Sequence, residues 1–210
     1  MNMLSALERE IATILVEALC EYGLAENLTQ YGEHGTENWF WYNKLSEMGF
    51  WASGGATKAC IGHEDLHNWV IKVGYTKGVK KDYATYEYNV YCAAEEAGLA
   101  QYFPKTLYLG EFYGRPFYVQ QKAECDEDQV TSDWYERLRD QYDEEGAEYD
   151  PDCLWDEIDC MEAEDKARLC FSDEALCDFL REHKVGDLHE GNFGYIRGCL
   201  VIVDFAGYCG

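Results

Sequence analysis

Val185-Gly186-Asp187-Leu188-His189-Glu190-Gly191-Asn192, followed after a short interval by Leu200-Val201-Ile202-Val203-Asp204-Phe205-Ala206-Gly207, is the stretch on which the reading of this chain turns. It sets a carboxylate, Asp187, and an amide, Asn192, five residues apart in a polar turn. Two short strands, 194–196 and 200–203, then read as a hairpin, and Asp204 stands directly after the second. A turn and a strand end arranged in this way can aim three oxygen-bearing side chains into one cleft.

Upstream, Val70-Ile71-Lys72-Val73 places an ammonium inside an apolar strand, 69–73, where a charge needs a partner. Glu87 is the leading partner, on a helix predicted over 80–97 and stopped by Gly98; Glu95 and Glu96 are alternatives nearer the helix end. The aromatic stretch 39–42 and residues 58–61 read as two strands joined by a glycine-bearing turn, and 63–68 is a polar turn before the third strand. Strands at 106–109 and 116–121 flank a loop at 110–115. Three strands, one helix and two strands give an α+β fold with a five-stranded antiparallel sheet. Leu4, Leu7, Ile11, Ile14, Leu15, Ala18, Leu19 and Tyr22 predict an amphipathic helix over 3–22, ended near Gly23.

The composition changes at 123. Residues 123–165 hold 19 of the chain's 41 acids and, among the basic residues, only Arg137 and Arg139, so this segment is expected to be largely exposed. Trp134, Tyr135, Leu138 and Tyr142, then Leu154, Trp155 and Ile158, still mark helices around a loop at 143–151. Ser172-Asp173-Glu174 reads as a helix start, with Leu176, Phe179 and Leu180 on its buried side. The chain thus divides into 1–122 and 123–210.

A net charge of -24 repels phosphate backbones and anionic membranes, so direct nucleic-acid or membrane binding is not expected; the acidic surface reads first as a solvated face, and as a functional surface it suits a basic protein partner or imitation of a nucleic acid's charge. Ten cysteines without a CxxC pair read as reduced thiols, and no secretion signal or membrane-length apolar run stands in the sequence, so a cytoplasmic location is expected. Cys153 with Cys160, and Cys170 with Cys177, recur at a spacing of seven, which on a helix puts each pair on one face.

The run 185–207 resembles the catalytic and metal-binding loops of the protein-kinase-like superfamily, closest to its aminoglycoside and choline phosphotransferase-like branch. The resemblance covers roughly residues 45–207 in order. It implies a two-lobed fold that binds ATP and magnesium, with a sheet lobe and a reduced helical lobe ending just after the metal-binding loop. Asp187 would be the catalytic base or orienting carboxylate, Asn192 and Asp204 the magnesium ligands, and Lys72, paired with Glu87, the cation on the nucleotide's inner phosphates. Gly49-Phe50-Trp51-Ala52-Ser53-Gly54-Gly55-Ala56-Thr57 stands where the glycine-rich loop belongs, so Gly49, Ser53, Gly54 and Gly55 would approach phosphates, although a plain hairpin fits the segment equally. Gln120 and Lys122 would bound the hinge whose backbone receives adenine.

Three departures stand beside these matches. Val185 and Gly186 replace the His and Arg that precede the catalytic aspartate in protein kinases, which favours the small-molecule branch. Ala206 replaces a glycine in the metal-binding loop. The sequence extends only six residues past Asp204, so a peptide-docking platform is not expected. Three options follow: a compact kinase, completion by a second subunit, or a pseudokinase kept for binding. Apolar surface left by a reduced helical lobe is expected to be covered by the N-terminal and acidic helices. Lys77, Lys80 and Lys81 form a basic spot suited to an anionic acceptor or to solvation, and His189 either contacts the acceptor or holds its turn.

Overall fold

A computed structural model describes residues 4–21, 43, 45–54, 57–75, 80–146, 148–150 and 153–205. The predicted strand at 39–42, together with Tyr22, Gly23, Gly55, Lys77, Ala206 and Gly207, lies outside the described residues. The chain forms two compact units, residues 1–92 with 105–122, and 93–104 with 123–210. A division at residue 122 alone misses that 93–104 belongs with the second unit.

The first unit is built on strands β1 (Phe50–Gly54), β2 (Lys58–His63), β3 (Trp69–Gly74), β4 (Thr106–Phe112) and β5 (Arg115–Gln121). They form one antiparallel sheet in the order β1-β2-β3-β5-β4. Period-two alternation gives the sheet two different faces. Phe50, Ala59, Ile61, Ile71, Val73, Phe117 and Val119 belong to one apolar core with α1 (Ala6–Glu21), which buries Ala12, Val16, Leu19 and Cys20 there. Each such side chain contributes about 1.5–3 kcal/mol when fully buried.

The stripe differs from the one predicted, since Leu7 and Ile14 are exposed and Ala12 and Val16 take the buried face. Small residues there let α1 approach the strands closely. The helix packs its buried side against the first unit's sheet.

Two strand boundaries also differ. Residues 50–54, expected within a glycine loop, are a strand, because Phe50 points into the core while Trp51 lies on the other face over Gly62. The loop expected at 110–115 is a tight turn at Tyr113-Gly114, both with positive φ (53° and 74°), so β4 and β5 extend almost to it.

The second face of the sheet meets α2 (Tyr83–Ala97). Asp82 caps α2 by accepting from the backbone N–H of Ala84 and Thr85, both at 3.0 Å. Gly74 is required beside it, since a Cβ there would stand 2.3 Å from Asp82 Oδ1. Thr85 Oγ1 and Tyr118 OH, 2.7 Å apart, tie the helix to β5. Lys81 is stacked over the Tyr86 ring at 3.4 Å, so it is committed to α2 rather than to a loose basic spot, while Lys80 is exposed.

The second unit holds α3 (Glu127–Glu145), α4 (Leu154–Cys160), α5 (Ala163–Phe171), α6 (Glu174–Glu182) and the hairpin β6 (Phe193–Ile196) and β7 (Cys199–Ile202). α3 runs past the predicted start of its loop and ends at Gly146 in the left-handed conformation. α5 is a helix that the apolar pattern does not announce. Ser172 ends α5 in the left-handed region, and Asp173, not Ser172, caps α6, accepting from Ala175 and Leu176.

Cys170 and Cys177 sit on successive helices, so their spacing does not place them on one helical face; both are buried, and burial pushes the Cys170 thiol up to about 12. No disulfide joins two of the nine described cysteines. Among the described residues no helix is long and apolar enough to cross a membrane.

Candidate functional site

In the first unit the sheet and α2 close around one carboxylate. Glu87 faces the strands because it shares the buried side of α2 with Tyr83, Val90, Tyr91 and Ala94, at helical spacing. It is 1% exposed. Lys72 Nζ stands 3.3 Å from its Oε1, and Glu95 and Glu96, the alternative partners, are exposed at the helix end.

A second lysine is present that sequence reasoning did not use. Lys58, on β2 and 3% exposed, brings Nζ to 2.9 Å from Glu87 Oε2. That approach is a charge contact without the angle of a directed hydrogen bond. Its signal was the strand period: Lys58 and Cys60 share a face of β2, and Cys60 lies opposite Lys72.

Gln120 completes the cluster. Its side-chain amide donates to Glu87 Oε1 at 2.7 Å and to Thr106 Oγ1 at 3.2 Å, all three residues being buried. The Gln120 side chain is thus built into the sheet interior. The neighbouring backbone donors are also engaged, since the N–H of Gln121 donates to Lys105 O and that of Lys122 to Asn68 O, both at 2.8 Å. Lys122 carries its ammonium 5.2 Å from the Trp51 ring. The backbone of 121–122 therefore offers no uncommitted donor to a base.

The residues expected to approach phosphates are separated. Gly49, at φ 83°, precedes β1 and lies against His63; Ser53 is exposed and pairs with Cys60; Gly54 pairs with Ala59. Residues 50–54 are held in the ladder with β2, and Gly55 lies outside the described residues.

In the second unit, Asn192 organises the turn. Its Nδ2 donates to Asp187 O at 2.6 Å, its backbone N–H donates to His189 O at 2.9 Å, and its own carbonyl accepts from Val203 N–H at 2.8 Å. The β6–β7 register, Phe193 opposite Ile202, continues into that last bond and sets Asp204 one residue beyond Asn192's partner. Asn192 and Asp204 thus end the same hairpin, and Asp187 is bound to Asn192 through its backbone.

His189 holds the turn, its Nδ1 accepting from Gly191 N–H at 3.2 Å. Leu188 is buried next to the exposed Asp187, and Phe205, which follows Asp204, is buried in an edge contact with Phe103 at 4.8 Å. Trp134 of α3 packs edge-on against Phe193 at 5.1 Å, and Tyr195 donates to Asp133 at 2.5 Å, which keeps its hydroxyl well above the ordinary range behind the larger effect of burial.

Among the described residues no three His, Cys, Asp or Glu side chains come together as a metal site. A magnesium ion between Asn192 and Asp204 would not need such a trio, because one of its protein ligands would be an amide. The fit is chemical: an amide oxygen and a carboxylate are hard oxygen donors, and the bond to Asp187 O uses the Asn192 Nδ2 and not its amide oxygen. Comparison with protein-family models, with curated proteins and with solved structures finds no match to this chain.

Proposed function

We propose that this chain is a kinase-like phosphotransferase that uses ATP and magnesium, its two units serving as a sheet lobe and a helical lobe. The observation that carries the reading is the buried Lys72–Glu87 pair at 3.3 Å, joining the third strand to the following helix. An ammonium fixed in this way neutralises phosphate oxygens without having to reorganise. The Asp187, Asn192 and Asp204 arrangement supports the same reading, because one backbone network positions all three.

Lys72 binds the nucleotide's phosphates, Glu87 holds Lys72 in place, and Asp187 orients the acceptor hydroxyl and takes its proton. Asn192 and Asp204 hold magnesium, which when bound neutralises charge on the phosphates. The acceptor is a protein or a small-molecule hydroxyl, and the proposed location is the cytoplasm. Phosphoryl transfer or hydrolysis from radiolabelled ATP tests the assignment. Asp204→Ala removes a proposed metal ligand and is expected to lower turnover at least a hundredfold with little change in thermal stability. Turnover at the wild-type rate in that variant refutes the role of Asp204.

A second reading has an observation of its own. A groove of about 730 Å³ in the second unit is lined by Asp140, Glu144, Glu145, Glu157, Asp165 and Glu174, against Arg137 and Arg168. It favours a pseudokinase or acidic inhibitor that engages a basic partner or imitates nucleic-acid charge. Partner capture that collapses with salt, without phosphoryl transfer, supports this alternative.

A further inference from the structure

The groove of the second unit joins an apolar lining to an unbalanced charge. Leu138, Tyr142, Met161 and Leu169 line it together with the carboxylates of α3, α4, α5 and α6. The arginines beside it are already engaged. Arg168 pairs with Asp165 and Glu174, Arg139 pairs with Asp140, and Arg137 donates to Cys170 O at 3.1 Å. Among the described residues no Lys or Arg pairs with Glu144, Glu145 or Glu157; Glu145 accepts from the Gln141 amide at 3.3 Å and Glu157 from Tyr142 OH at 2.9 Å, both neutral donors.

The end of α3 sharpens this imbalance. Its last turn carries Asp143, Glu144 and Glu145 and no basic residue, at the end of the helix where the macrodipole is negative and favours a cation. We propose that the groove docks a basic amphipathic peptide segment of a partner protein, its apolar side chains on Leu138, Met161 and Leu169 and its lysines or arginines against Glu144, Glu145 and Glu157. A peptide suits the groove better than a polyamine. Arg137 and the exposed Ser172 also line it as donors, and a peptide carbonyl accepts from them where a polyamine offers no acceptor. Along α3 the lining runs from Arg137 to Glu145, about 12 Å at about 1.5 Å per residue, room for roughly two turns of a docked helix. The inference rests on the basic-partner reading for the sign of the ligand, and on the groove for its place.

The probe is a fluorescein-labelled synthetic peptide of about twelve residues, leucine and lysine set at helical spacing, titrated into the full chain by anisotropy at about 20 mM salt. Saturable binding is expected, weakened about fivefold or more when Glu144→Gln and Glu145→Gln are combined. Glu10→Gln with Glu17→Gln removes the same charge from exposed positions of α1 and should leave the affinity unchanged. Serine in place of the leucines should weaken the peptide about tenfold or more. Equal losses in the two double variants, or undiminished binding of the serine peptide, overturn the docking site, because the peptide then answers to net charge alone.

The wild-type chain gives the same answer without substitution. With methionine methyl groups labelled by carbon-13, the Met161 resonance should shift as peptide is added. Binding that leaves it in place overturns the docking site and keeps the basic-partner reading, whereas no binding at about 20 mM salt removes both. Spermine that binds more tightly than the peptide with the same Met161 shift makes the groove a polyamine site and overturns the peptide assignment.

Discussion

Single atoms decide several features of this molecule, and Gly62 is the sharpest case. A Cβ at Gly62 would stand 2.0 Å from two carbons of the Trp51 indole, which lies flat across it. Gly62→Ala should cost about 1–3 kcal/mol, the usual penalty for an inserted methyl group that cannot be accommodated. In a Trp51→Ala background the same change should cost almost nothing, and a double-mutant cycle from urea unfolding reads the difference. Equal costs in the two backgrounds would mean that the indole is not what excludes the side chain. Residue-scale legibility in the sequence was uneven for the same reason. Lys72 announced itself by standing within an apolar strand, whereas Lys58, at the start of its predicted strand, gave no such signal until the register set it beside Glu87.

Elements follow their caps and stripes. Ser5 and Glu8 close the start of α1 reciprocally: Glu8 N–H donates to Ser5 Oγ at 3.2 Å, and the Ser5 backbone N–H donates to Glu8 Oε2 at 2.8 Å. Glu8 also accepts from Trp69 Nε1 at 3.3 Å, tying the helix to the sheet. Ser5→Ala should cost about 1 kcal/mol in urea unfolding. The hydrogen bonds from Ser5, backbone first and side chain second, hold the Glu8 carboxyl below its ordinary value. A carboxyl lowered in the folded state stabilises above its unfolded pKa of about 4.3, and that contribution is lost as pH falls through the lower folded value. The stability gap between wild type and Glu8→Gln should therefore be constant near neutral pH and close on acidification below that point. A gap that widens with acid would contradict the assignment.

Elements were legible where an apolar stripe or a cap spoke for them. The strand order, α2 and α6 follow the pattern of the residues, and Asp173 supplied its signal as an acid before Leu176. α5 gave none, because its buried face is Ala163, Lys166, Ala167 and Cys170, small or charged residues without an apolar rhythm. Residues 50–54 misled because glycine and serine there suggested a loop, while the alternation of Phe50 and Trp51 that makes them a strand spans only two positions.

For the molecule as a whole, charge is the dominant collective quantity. A net charge of -24 on 210 residues opposes the compact state through self-repulsion, which dissolved ions screen. The thermal midpoint should rise as sodium chloride is raised from about 10 to about 200 mM, and a flat or falling midpoint would show that the acids are already balanced locally. The α+β class and five-stranded antiparallel sheet follow from the sequence because strand and helix periods are local properties. Of the cluster at Glu87 only the Lys72 partner follows from it, because Lys58, Gln120 and Thr106 reach the carboxylate from β2, β5 and β4 across distances that no local pattern spans. Calorimetry of magnesium-ATP against the wild-type chain and Lys72→Ala puts the nucleotide reading to its most direct test. Saturable binding weakened at least tenfold in the variant is the predicted result, and equal affinity in both, or no binding to the wild type, would contradict it.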